Sequence, residues 1–577
     1  MKRNKIALLM SSALAAVLLV SSSGCGKRPV IDSSVGGGEN KTHDITLLLN
    51  GWTNTPTPSD DPYRAWIVEN YGLNISLNAT TDFINSVMIG FSSSDKPDIV
   101  SFPDFTSFQS IRNQGVLLED WTPYLDKMPH FKQLLSDESQ SFTKQVLTDS
   151  NGKLNAIWTP SSPPTWSLKI REDWANEYRA MTDNYDEKGN KTSDPSKVYI
   201  PAGATSTDGK EWMPNSPDDL LNFARYIKVF KNSGTKLDCY GFTTAGGGTS
   251  LGTLETWMPL MWGRVPVAPY GFYIDSKGEV QFSVTDGSYQ PYLDYLRQIN
   301  DEKLIDPNWY SQSFANDKRT TYGKIGIQWY PGSITSSTQI DVNENKPDSE
   351  KTDTSDWWET YPLPVSEDTD NEFAGFMAGE GLAGNIITVS KQTSMNKMLM
   401  EKICAFIDDC YAFYDKETDT YHRGVAYDAL RWGVGVEKSI QYTPIENSNL
   451  TYCSIDKESY REKNSGAWDW GAWIASSYDG VVQGKEKEIS KITMKVAQHN
   501  LKTATYKTTP QIGEYLTLDS AKITDMALNM ASFAYTYATR QTSMTVAEYC
   551  AKWKKDLKGD ELLAEASAQF TALGLKK

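Results

Sequence analysis

Histidine is scarce in this sequence: His43, His130, His422 and His499 are the only four in 577 residues. They are too scattered to make a ligand cluster, and the six cysteines lack the paired spacing of zinc sites. Neither a Gly-x-Ser-x-Gly nucleophile turn nor a Walker phosphate loop occurs, so no motif points to a resident metal, nucleotide or other cofactor. Positive charge is also in deficit, with 57 Lys and Arg against 73 Asp and Glu and a formal net charge of -16. A field of that sign repels nucleic acid and anionic partners in general. Beyond the N-terminus no apolar run is long enough to read as a membrane span.

What the chain does have begins at its first residue. Met1-Lys2-Arg3-Asn4-Lys5 precedes the apolar stretch Ile6 to Val20, followed by Ser21-Ser22-Ser23-Gly24-Cys25. A basic head, a short apolar run and small residues before a cleavage point define an export signal, here residues 1–24. The run is shorter than the ~20 apolar residues that span a bilayer. Cys25, directly after Gly24, is placed to receive lipid once the signal is removed. Ser22 stands where an aliphatic residue is usual, so secretion by cleavage near Gly24 is the alternative. Either route puts the mature chain outside the cytoplasm, and stable anchoring needs more than one acyl chain.

With Cys25 set aside, Cys239, Cys404, Cys410, Cys453 and Cys550 leave an odd number, so at least one is unpaired or bridges molecules. A chain of 577 residues needs no disulfide scaffold and should divide into at least two lobes. Aromatic residues are plentiful, with 18 Trp, 30 Tyr and 19 Phe. Many must fill cores. Several, however, stand beside Gly, Pro, Asn or Ser in segments that read as loops at strand ends. A flat aromatic face there suits the C–H faces of sugar rings, while amides and carboxylates suit their hydroxyls.

Residues 25–43 form a Gly/Ser-rich tether. Ile45 to Leu49 is a short apolar run closed by Asn50-Gly51, hence a buried strand. Arg64 to Tyr71 has helical spacing, Leu73 to Leu77 alternates, Phe83 to Phe91 is helical, Pro97 to Ser101 is a strand and Phe105 to Gln114 a helix. That order predicts a parallel sheet covered on both faces. Ser216-Pro217-Asp218-Asp219 is a helix start with a cap, a first-turn proline and acids at the positive end. Further helices are predicted over Tyr289 to Asn300, Met395 to Tyr411, Ile523 to Thr539, from Val546 past Trp553, and over Asp560 to Phe570. Strands are predicted over Gly323 to Trp329 and Gly384 to Val389. Asp341 to Asp356 is polar and charged, which predicts a mobile surface loop.

Several of these pieces resemble the bacterial extracellular solute-binding proteins of the ABC sugar-transport type, in their large Gram-positive lipoprotein branch. The carriers are Asp95-Lys96-Pro97-Asp98-Ile99-Val100, the run from Gln114-Gly115-Val116-Leu117 to Tyr124-Leu125-Asp126, Asn151-Gly152-Lys153-Leu154, Arg171-Glu172-Asp173-Trp174, Asn215-Ser216-Pro217-Asp218-Asp219-Leu220 and Gly559-Asp560-Glu561-Leu562. Gly466-Ala467-Trp468-Asp469-Trp470-Gly471-Ala472-Trp473 has no general counterpart in that family. The resemblance implies an α/β, two-lobed, periplasmic-binding-protein-like fold with hinge-crossing segments and a cleft between the lobes. Lobe 1 would hold 44–159 and 383–431, and lobe 2 would hold 160–382 and 432–577. It further implies a lipid-anchored monomer on the outer face of the cell membrane. That monomer would capture an oligosaccharide and hand it to the permease subunits of an ABC importer, without chemistry on it. The rival class is an extracellular glycan hydrolase, for which acids are abundant but no carboxylate pair stands out.

Ligand crevices in open α/β sheets lie beyond the carboxyl ends of strands. Trp52 after the first strand, Asp104 after Val100-Ser101-Phe102-Pro103, and Trp158 before Thr159-Pro160 are therefore binding candidates in the first lobe. For Asp104 the competing role is to cap the helix from Phe105. In the second lobe Trp257 and Trp262 flank Pro259 and Gly263, Trp329 closes a strand, and Trp468 and Trp470 lie in a glycine-rich stretch. Each competes with ordinary core packing.

Overall fold

The computed structural model describes residues 42–51 and 61–576, leaving out 94–95, 138–139, 160–165, 204–211, 233–236, 244–255, 265–270, 312–317, 332–333, 379–384, 416–419, 435–440, 445–450, 455–480 and much of 485–510. Its framework is two sheets. In chain order the strands are β1 (His43–Asn50), β2 (Leu73–Thr80), β3 (Ile99–Phe102), β4 (Ile157–Thr159), β5 (Trp166–Arg171), β6 (Tyr240–Phe242), β7 (Ile325–Pro331), β8 (Trp358–Tyr361) and β9 (Asn385–Val389).

The first sheet has five strands in the order β2-β1-β3-β9-β4. β1 and β3 run parallel, with Leu48 opposite Val100, as the strand–helix–strand order predicts. The sheet is nevertheless mixed. β9 arrives from the later part of the chain and inserts antiparallel between β3 and β4. Helices α1 (Pro62–Tyr71), α2 (Phe83–Ser92) and α3 (Phe105–Arg112) connect the early strands. Asp61 caps α1 by accepting from the N–H groups of Tyr63 and Arg64 at 3.0 and 3.2 Å, Pro62 occupies the first turn, and Gly72 at φ 64 ends it. Leu47, Ile67, Val100, Trp121, Trp158, Ile387 and Ile403 share one buried core.

The second sheet has four strands in the order β8-β5-β7-β6. β5 is antiparallel to both β8 and β7, and β6 is parallel to β7. Helix α4 (Pro217–Phe230) begins with a capping box in which Ser216 and Asp219 satisfy each other's backbone N–H groups, and it buries Leu220, Leu221, Ala224 and Ile227. With Leu168, Ile327, Leu296, Trp553 and Phe570 these residues form a second core. The terminal helices Ser520–Ala538, Val546–Lys555 and Gly559–Ala572 pack into it.

Two expectations need correction. The segment from Asp341 to Asp356 lies at the surface, as expected, but it is tied down at Thr354 and Ser355, which are fully buried. Gln339 Oε1 accepts from the Thr354 N–H at 2.8 Å, and Asn343 Oδ1 accepts from the Thr352 N–H at 2.7 Å. These two amides serve the local backbone, while Asp348, Glu350 and Lys351 are exposed. The helix expected over Met395 to Tyr411 is a short turn at Lys391–Ser394 and a separate helix, Lys397–Asp408, whose N-cap Asn396 accepts from the Leu399 N–H. Among the described residues no helix is long and apolar enough to cross a membrane.

Candidate functional site at the joined sheet ends

Register brings the candidate positions together. In the first sheet Leu49 lies beside Ser101, Ile386 beside Phe102 and Asn385 beside Thr159. Asn50, the Phe102-Pro103-Asp104 turn, Thr159 and Asn385 therefore occupy one end, and the Asn385 N–H donates to Thr159 Oγ1 at 2.9 Å. In the second sheet Trp166 lies beside Pro331, Leu168 beside both Trp329 and Tyr361, and Phe242 beside Ile327. Trp166, Trp329 to Pro331, Tyr361 and Thr243 thus share one end too.

One short connection links these ends, leaving β4 after Thr159 and entering β5 at Trp166; the chain reaches β9 at Asn385 from the short strand Met377–Ala378, which pairs with Thr508–Thr509 rather than with the second sheet. Seven extended residues reach at most about 25 Å, so the two ends are tethered within the span of a short oligomeric ligand.

Asp104 is exposed and caps α3. Its Oδ1 accepts from the Ser107 N–H at 2.7 Å and its Oδ2 from the Ser107 hydroxyl at 2.8 Å. A carboxylate has about four acceptor sites, so capping leaves capacity toward solvent. Trp158 is fully buried. Its Nε1 donates to Gln140 Oε1 at 2.9 Å, its ring meets Phe131 edge-on at 5.1 Å, and its carbonyl accepts from the Tyr411 hydroxyl at 2.7 Å. These contacts brace the strand that enters the first connection.

Trp257 and Trp329 stack nearly parallel, with centroids 6.3 Å apart and planes 12° apart. Both are buried in the second core, and Trp257 Nε1 has no hydrogen-bond partner among the described residues. Trp262 packs against Tyr295 at 5.4 Å. It also borders a cavity of about 520 Å³ whose rim carries Asp275, Asp368, Asp370 and Glu372. The inner wall of that cavity is closed by Asp286, which accepts from Tyr273, Ser288 and Asn371; burial raises its carboxyl pKa above the ordinary range. Trp52, Trp468, Trp470 and the lipidation candidate Cys25 lie outside the described residues.

Sequence reasoning passed over Trp166 and Tyr330. Trp166 is 36 % exposed, and its ring lies 6.2 Å from that of Tyr330. The pointer was available: Trp166 follows Pro163-Pro164-Thr165, just past the residues expected to cross between lobes. Tyr361, at the same end, is held by Glu172 and Arg179, and burial pushes its phenol above the ordinary range.

Two α/β sheets with separate cores, linked by the crossing from β4 to β5, make a fold shared with solved extracellular solute-binding proteins. Among solved structures with this fold is the HMO binding ABC-transporter associated solute binding protein from Bifidobacterium longum infantis. It is 13 % identical, aligned over 93 % of this chain and 100 % of its own, with a TM-score of 0.59. An extracellular solute-binding protein from Bifidobacterium longum subsp. infantis is 14 % identical over 93 % and 99 %, at 0.56. The S. pneumoniae ABC-transporter substrate binding protein FusA, solved with kestose, is 13 % identical over 93 % and 100 %, at 0.52. All three are described as binding proteins. No family model and no curated protein sequence matches the chain.

Proposed function

We propose that this chain is an extracytoplasmic, lipid-anchored substrate-binding protein that captures an oligosaccharide and delivers it to an ABC importer. The carrying observation is the pair of sheet ends tethered by a short connection, with Asp104 on one and Trp166, Tyr330 and Trp329 on the other. Aromatic faces beside hydroxyl-seeking groups match a ring with apolar faces and a polar rim. The names of similarly folded proteins, which mention HMO binding and kestose, favour the same ligand class.

In this reading residues 44–159 and 383–431 make lobe 1, and 160–382 and 432–577 make lobe 2. Trp52, Asp104, Trp257, Trp262, Trp329, Trp468 and Trp470 remain the candidate contacts and Trp166 joins them, while Trp158, buried in the first core, braces the strand instead. Closure of the lobes presents a new surface to the permease subunits. Cys25 carries the lipid, the monomer is the working unit, and the guest leaves chemically unchanged.

Calorimetry of the mature chain against a panel of purified neutral oligosaccharides tests this reading, with small-angle scattering to follow closure. One-to-one binding with a smaller radius of gyration and no release of reducing ends is expected. Turnover of any glycan, or scattering profiles identical with and without every saccharide, would overturn it.

A further inference from the structure

The second sheet has a polar seam on the face opposite its main core. Lys169 on β5 stands directly beside Gln328 on β7 and Thr360 on β8. Strand alternation puts these three on one face, with Leu168, Ile170, Ile327 and Tyr361 on the other. Helix α5 (Ile334–Val342) covers the polar face: Ile334 packs with Tyr330 and Trp358, and Trp358 Nε1 donates to Thr338 Oγ1 at 3.1 Å. Lys169, Thr335, Thr338 and Thr360 are fully buried, and Gln328 is 1 % exposed.

The seam is incompletely satisfied. Lys169 Nζ donates to Thr360 Oγ1 at 2.7 Å, one of the three bonds an ammonium can donate. Among the described residues, both polar atoms of the Gln328 carboxamide and the hydroxyl of Thr335 are buried without hydrogen-bond partners. Leaving such groups buried and unpaired is costly, so an occupant that pairs them is favoured.

Charge points to its sign. Lys169 feels Glu359 as its attractive neighbour and Lys502 as a repulsive one, and burial dominates both, lowering the amine pKa to about 7. Glu359 is itself taken by Lys502 at 3.1 Å. The other ionisable groups in this field are Lys495 and His499, with burial holding the His499 imidazole neutral. Lys502 is thus taken by Glu359 and Lys495 lies 3.5 Å from Asp356, which leaves the Lys169 amine without a carboxylate of its own. A water molecule would pair hydrogen bonds yet leave the buried amine without a counter-charge; a small anion does both.

We propose that this seam binds one monovalent anion of halide size, held by Lys169 Nζ, the Gln328 amide nitrogen and the Thr335 hydroxyl. Lys169 and Gln328 are paired across neighbouring strands beneath helix α5, so the occupant is taken as a single small ion. Gln328 immediately precedes Trp329, so occupancy also steadies the strand that carries an aromatic of the candidate site. The assignment is independent of which solute the cleft takes.

The test uses the whole mature chain at pH 6. Melting temperature is compared in sodium chloride, bromide and gluconate at equal ionic strength, and crystals grown in bromide are examined for anomalous scattering. The expected result is a halide-dependent rise in melting temperature and one bromide peak between Lys169 and Gln328. Thr335→Val should weaken the halide midpoint at least threefold, and Gln328→Glu, which supplies a fixed negative charge, should abolish the dependence. Ordered water without a bromide peak overturns the proposal. So does a halide effect that persists unchanged in Gln328→Glu. The bromide map of the unaltered protein decides the matter if either variant fails to fold.

Discussion

Tyr515 meets Phe105 edge to face, with ring centroids 4.8 Å apart and planes at 84°. Tyr515 belongs to the first core, while Ile512 and Leu516 on either side of it belong to the second. The chain therefore dips into the first core here before entering the terminal helices, and its contact is the residue that follows Asp104. Tyr515→Ala should cost about 3–5 kcal/mol, the range for removing a buried aromatic. Differential scanning calorimetry should show the first-core transition separating from the second. An unchanged single transition would mean that this contact does not couple the two cores.

Trp166 and Trp329 are predicted to behave differently. Trp166 is partly exposed, whereas Trp329 is 5 % exposed and stacked on Trp257. Truncating a central aromatic contact commonly costs more than about 2 kcal/mol of binding. Trp166→Ala should thus weaken oligosaccharide binding more than tenfold with little change in melting temperature. Trp329→Ala should lower affinity and also cost about 3 kcal/mol of stability. Paired calorimetry and urea denaturation would separate the two, and unaltered affinity in Trp166→Ala removes that residue from the site.

Asp408 organises the first core from within. Its carboxylate accepts from the N–H groups of His130 and Phe131 at 3.2 and 2.9 Å, and lies 2.8 Å from His130 Nδ1. The hydrogen bond to Asp408 is the largest cause raising the His130 pKa above its ordinary value. That stabilisation is fully present below the unfolded imidazole value of about 6.5 and is lost as pH rises through the higher folded value. Asp408→Asn should destabilise by roughly 3 kcal/mol and remove the His130 contribution to this pH dependence. Urea denaturation at pH 6 and pH 8 reads both effects.

Lys169 gives a slope of opposite sense. Its folded pKa is depressed to about 7, against about 10.4 in the unfolded chain. Between those values the unfolded chain binds the extra proton, so stability should rise with pH, approaching 1.4 kcal/mol per unit. The experiment belongs in halide-free buffer. Lys169→Met should flatten the slope in that window, and a slope retained in full would show that other groups produce it.

Much of the scaffold was legible because its signals are local. Asp61-Pro62 and Ser216-Pro217-Asp218-Asp219 start helices through contacts within one turn, and Ile45 to Leu49 is apolar enough to be only a buried strand. Partnership was not legible. Nothing near Asn385 says that β9 runs antiparallel between β3 and β4, because that depends on where a distant crossing delivers it. Orientation at the site was equally hidden. Adjacency to a crossing places Trp158 at the same sheet end as Asp104, yet the pleat turns its ring into the first core. Trp166, a few residues later, keeps an open face.

The insertion of β9 has a consequence for biogenesis. β4 lies at the sheet margin with β9 as its neighbour, so Ile157 to Thr159 lack their partner until Asn385 to Val389 have emerged. By then the strands of the intervening half have already been made. During synthesis the strands of the second sheet are therefore complete before the first sheet can close, although the second core still awaits the terminal helices, and the early segment must wait, unpaired and open to chaperones or proteases, for the late strand.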